Sequence, residues 1–120
     1  MSPQPAAASP YGEKVMSRYT DAYRIARVIV GVGNVVKTLG IVAFFVMLLI
    51  GYGIGAETGS AIAPTVLAGA AVGGIIWLVA WVLGVLVSAQ GQLLKASIDA
   101  AVNNSPFLVN DQRAKIMSLL

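Results

Sequence analysis

Two long apolar stretches without a charged side chain, Thr38–Ala56 and Ala61–Ala89, are separated only by Glu57-Thr58-Gly59-Ser60, and all 8 Lys and Arg residues lie outside them. At about 1.5 Å per residue each stretch is long enough to cross roughly 30 Å of hydrocarbon. A helix that is apolar on every side must be covered all round. A chain of 120 residues with 58% hydrophobic and 11% charged side chains has too little left over to cover two of them in water. The expected fold is an all-α membrane protein. A two-helix transmembrane hairpin (38–56, external loop 57–60, 61–89) carries amphipathic cytoplasmic helices at both ends (11–37 and 90–120), after a disordered tail over 1–10.

Charge sets the expected orientation. Lys14, Arg18, Arg24, Arg27 and Lys37 precede the first span, and Lys95, Arg113 and Lys115 follow the second, while the loop holds Glu57 and no base. The positive-inside rule then places both termini in the cytoplasm. The formal net charge of +3 belongs to the two end segments, which suits a surface of anionic headgroups. The bases are scattered, without the clustered face of a nucleic-acid footprint, so no nucleic-acid partner is expected. The opening Met-Ser-Pro-Gln-Pro-Ala-Ala-Ala-Ser-Pro lacks the basic and apolar regions of a signal peptide.

Ser9-Pro10 has the pattern of a helix start, with Ser as cap and Pro in the first turn. Beyond it, Val15, Met16, Tyr19, Tyr23, Ala26 and Val30 recur at steps of about three and four, opposite Lys14, Ser17, Arg18, Asp21 and Arg24. This is a basic amphipathic helix suited to the headgroup region, with Tyr19 and Tyr23 as interface anchors. The alternative is that this stripe packs on another protein or on the C-terminal tail. In that tail Leu94, Ile98, Ala101 and Val102 share a face, and Asn103-Asn104-Ser105-Pro106 ends the helix. A last short helix, Gln112–Leu120, is expected after a cap at Asn110 or Asp111.

Lys37 decides where the first span begins. If it begins at Thr38, Lys37 sits at the inner interface and can extend its ammonium to water. A span starting at Val28 would instead bury that charge, at about 2.5–3.5 kcal/mol on insertion scales. Folding the hairpin about Thr58 sets Trp77 level with about Leu39 and Trp81 level with about Val35. They read as the inner half of an aromatic belt, with Tyr52 near the outer edge. Arg24, Arg27, Lys37 and Lys95 converge on the inner interface in this topology, as candidates for binding lipid headgroups.

Small residues at four-residue spacing are the strongest packing signal. Gly51 and Gly55 end the first span; Gly69 and Gly73, the offset pair Ala70 and Gly74, and Ala80, Gly84 and Ser88 mark the second. Such faces let helix backbones approach closely in lipid. They either close the hairpin on itself or serve neighbours, and the expectation favours self-association or docking in a larger membrane complex.

Chemistry has little raw material. The chain has no His and no Cys, and its five acids are dispersed, so no nucleophile, base or metal-ligand set can be assembled. No cofactor and no catalytic residue are expected. Gly51-Tyr52-Gly53 shares three letters with potassium-channel filters but lacks the preceding Thr-Val and any room for a pore helix. The residues Gly51–Ala56 fit a dinucleotide fingerprint in letters alone, without a strand–turn–helix context.

The stretch Val87–Phe107, with Gly91-Gln92-Leu93-Leu94 at its core, resembles the juxtamembrane tail of small two-span bacterial membrane proteins of uncharacterised function. This resemblance implies a bacterial cytoplasmic (inner) membrane and supplies no activity. The expected function is that of a non-enzymatic accessory or scaffold subunit acting through Gly/Ala/Ser helix-packing faces. A pore-forming or holin-like homo-oligomer is the alternative, although neither span shows a polar stripe, and a pilin-like filament subunit is a minor one.

Overall fold

The computed structural model describes residues 10–59 and 61–118. Among these residues the chain is all-helical: α1 is Pro10–Thr58, α2 is Ile62–Asn104 and α3 is Asn110–Met117. The expected tail, apart from Pro10, and the cap at Ser9 lie outside the described residues.

Helix α1 begins at Pro10, where the missing N–H falls among donors that have no intrahelical partner anyway. It runs for 49 residues, through the boundary expected at Lys37–Thr38. No proline interrupts the sequence between these limits, so nothing separates arm from span and the ladder continues. Glu57 and Thr58, expected in the loop, form its last turn, where the Thr58 hydroxyl donates to the Ile54 carbonyl at 2.7 Å. Gly59 stops the helix with φ of +63°, the left-handed conformation that glycine adopts without a Cβ clash. Helix α2 takes up the chain at Ile62, with Pro64 in its first turn, and ends at Asn104 ahead of Ser105-Pro106.

The last helix differs from expectation. It starts at Asn110 and ends at Met117, whereas the sequence suggested Gln112–Leu120. Val109 occupies the cap position, and the Gln112 side-chain oxygen accepts its backbone N–H at 3.2 Å. A carboxamide reaching back from the first turn replaces the cap expected from Asn110 or Asp111. Leu120 lies outside the described residues.

The chain divides into two compact units. The end unit comprises Met1–Val28 and Gly91–Leu120, and the helix-pair unit comprises Ile29–Gln90. In the end unit, Tyr23, Ala26, Ile98, Val102, Leu108 and Ile116 form a buried cluster, with Val15, Met16, Tyr19, Ala22, Leu94 and Met117 packed around it. The apolar stripes of the N-terminal arm, the tail and α3 therefore cover one another. Polar bonds close the unit: the Tyr23 hydroxyl donates to the Asp99 carboxylate, and Arg113 donates to the carbonyl of buried Ser105 at 2.7 Å.

Helix-pair unit packing follows a different pattern. Successive contacts join Gly33 to Gly84 and Ser88, Gly40 to Trp77 and Ala80, Phe44 and Met47 to Gly73 and Gly69, and Gly51 to Thr65. Rising numbers on α1 meet falling numbers on α2, so the two helices run antiparallel through this unit. Large residues on α1 face gaps on α2: Gly69 lies against the Met47 carbonyl, and Gly73 against Phe44 and Met47.

Candidate functional site

The seam between α1 and α2 in the helix-pair unit brings together Gly51, Gly55, Gly69, Gly73, Ala80, Gly84 and Ser88, and leaves Gly74 outside it. A Cβ on Gly51 would come within 2.5 Å of the Thr65 carbonyl oxygen, and one on Gly84 within 2.5 Å of the Gly33 carbonyl oxygen. Gly55 meets Thr65 and Ile62, Ala80 meets Gly40, and Ser88 meets Gly33. At Gly33 and Gly84 the close neighbours include backbone as well as the Ser88 hydroxyl and the Lys37 stem, and backbone cannot swing aside as the tip of a flexible side chain does. Gly69, Gly73, Ala80, Gly84 and Ser88 all meet α1 within the chain. Gly33 and Gly40 complete the seam from α1, and sequence reasoning passed over both.

Gly74 stands apart from the seam. Nothing lies within 4 Å of a Cβ placed there, and with Ile41, Phe44, Trp77 and Leu78 it lines an open apolar groove of about 490 Å³. Elsewhere the outer faces of the pair carry large apolar side chains: Leu39, Phe45, Leu49, Leu67, Ile75 and Leu86 are all exposed, Leu49 and Leu67 at 70%. Both helices are long and apolar enough to cross a membrane, and only 17% and 11% of their most apolar windows are buried. The core helix of a water-soluble protein is mostly covered; these are not.

The aromatic anchors divide. Trp77, Trp81 and Tyr52 are exposed on the helix pair. Tyr19 is half-buried against the end-unit cluster, and Tyr23, at 3% exposure, is part of it. Tyr23 thus presents its ring to protein and its hydroxyl to Asp99. The sequence stripe on which it falls did not reveal which surface covers it.

The four cations named as headgroup candidates also divide. Arg24, Arg27 and Lys95 belong to the end unit, where Arg24 and Arg27 line a small cleft of about 160 Å³ with Thr20 and Tyr23. Lys37 belongs to the helix pair. Its aliphatic stem lies over Gly84, 2.6 Å from where a Cβ there would sit, and its ammonium donates to the Asn34 side-chain oxygen at 3.4 Å. Thr38 Oγ1 donates to the Asn34 carbonyl at 3.1 Å in the adjoining turn. No group of three His, Cys, Asp or Glu side chains suited to a metal ion occurs among the described residues. What the arrangement offers is surface: an apolar helix pair closed along a seam of small residues, and a small end unit with polar clefts. Comparison with known protein families, with characterised proteins and with solved structures found no match.

Proposed function

We propose that this chain is a small integral membrane protein whose helix pair is a transmembrane hairpin, and that it serves as a non-enzymatic accessory or scaffold subunit. The observation that carries the reading is the ring of exposed large apolar side chains around a pair whose glycine seam is already closed. Leaving each such side chain in water forgoes about 1.5–3 kcal/mol of burial, whereas in lipid no such loss arises. Base-free Glu57-Thr58-Gly59-Ser60 and the bases at both ends favour cytoplasmic termini. The resemblance of 87–107 favours a bacterial inner membrane.

Within this reading the end unit is a folded cytoplasmic platform. Its central apolar stripes are covered internally, and it meets partners through its clefts, its charged surface and exposed side chains such as Tyr11, Leu93 and Phe107. The hairpin anchors it, and the outward Ala70/Gly74 edge remains for helix contacts within a homo-oligomer or a larger membrane complex.

Purification in mild detergent from native membranes, with mass spectrometry of co-eluting proteins, tests the proposal. A stoichiometric larger partner is the expected result. A lone monomer in that preparation contradicts a scaffold role. A pure self-oligomer that depolarises membranes on controlled expression would replace it with the pore-forming reading.

A further inference from the structure

We infer that Lys37 and Asn34 form a binding site for the phosphate of an anionic phospholipid headgroup at the inner end of the helix pair. The inference rests on the transmembrane reading above and names a partner for it. Residues 29–90 contain a single base, Lys37, and a single acid, Glu57. They stand about 20 residues apart on one unbroken helix, hence about 30 Å along its axis, the thickness of a bilayer's hydrocarbon core. Glu57 is therefore no counterion for Lys37; each charge marks one boundary of the apolar layer.

Side-chain direction fits this placement. Side chains on a helix lean toward its N-terminus. The Lys37 stem crosses the gap left by Gly84, and the ammonium comes to Asn34, one turn back and away from the apolar run. This is a lysine that lays its methylenes on apolar surface and carries its charge to the interface. The long Nζ–Oδ1 contact of 3.4 Å is with a neutral group, and among the described residues of 29–90 the only acid is Glu57, far along the helix. The Asn34 carboxamide accepts that bond through its oxygen, which leaves its NH2 to donate beside the ammonium. An ammonium and an amide NH2, side by side at the edge of a hydrocarbon layer, suit a phosphodiester oxygen. Trp81, exposed and about one turn from Gly84, stands at the same level of the pair.

The test uses the full chain in nanodiscs of phosphatidylcholine containing a minor share of phosphatidylglycerol, with retained lipid read by native mass spectrometry. Wild type is expected to retain phosphatidylglycerol selectively. Lys37→Gln is expected to lose about fivefold of that enrichment, the factor for one base near an anionic surface. Lys37→Arg is expected to keep it. Unchanged enrichment in Lys37→Gln of normal helix content would overturn the site. Displacement of the lipid by free inorganic phosphate would overturn its assignment to a headgroup. Release of the chain from membranes by alkaline carbonate would remove the transmembrane reading itself; membrane-retained Lys37→Gln with unchanged enrichment removes only the lipid site.

Discussion

In the end unit, α1 and α2 are held by large side chains; in the helix-pair unit they are held by the lack of them. Tyr23, Ile98, Val102, Leu108 and Ile116 bury their bulk in one cluster, as the core of a small water-soluble domain does. Over 29–90 the contacts are backbone against backbone at Gly33, Gly51, Gly69 and Gly84, and the bulky residues face outward. On the transmembrane reading proposed above, the difference is one of solvent. Water drives large apolar groups inward, whereas lipid gives them no reason to leave the surface and rewards close helix approach instead.

The comparison breaks most readily at the seam. Leucine at both Gly33 and Gly84 meets backbone on each side and is expected to cost about 4 kcal/mol or more, beyond the usual 1–3 for one overpacked site. Loss of helix pairing in mixed SDS micelles checks it; intact pairing would mean that the seam yields. In the end unit the damage comes from removing bulk. Ile116→Ala empties a position that is 1% exposed and should cost about 3 kcal/mol. Faster hydrogen exchange confined to α3 and its neighbours in the end unit is the expected signature.

A smaller effect sharpens the polar side of the comparison. Tyr23→Phe keeps the ring and removes the donor to Asp99, an expected loss of about 1.5–2 kcal/mol read in the same exchange experiment. At the low end, Gly74→Ala adds a methyl where nothing lies within 4 Å. It should change stability of the isolated chain by less than about 0.5 kcal/mol. If it nonetheless weakens assembly in membranes, the Gly74 edge is a contact between chains.

Much of the pair was legible in the sequence. Folding about Thr58 set Trp77 level with Leu39, and the contacts put it at Gly40, a shift of one residue. Charge-free runs and glycine spacing carry that information directly. Gly33 and Gly40 were missed because α1 contributes Lys37, Phe44 and Met47 to the same face, which hides any run of small residues at four-residue spacing. The two stripes of the end unit were also visible, as Met16, Tyr19 and Tyr23 on one side and Ile98 and Val102 on the other. That they cover each other was not, since periodicity marks a face without saying what lies on it. Leu108, in a non-helical connection, had no periodic signal at all.

The most direct test of the account uses the chain's lack of cysteine, which makes any introduced thiol unique. Single cysteines at Ala56, Phe45 and Asn103 would be labelled with a membrane-impermeant maleimide in intact cells and in inside-out vesicles. Reaction at 56 only from outside, at 103 only from inside, and at 45 from neither side is the predicted result. Labelling of 56 and 103 from the same side, or aqueous reactivity at 45, would contradict the transmembrane hairpin.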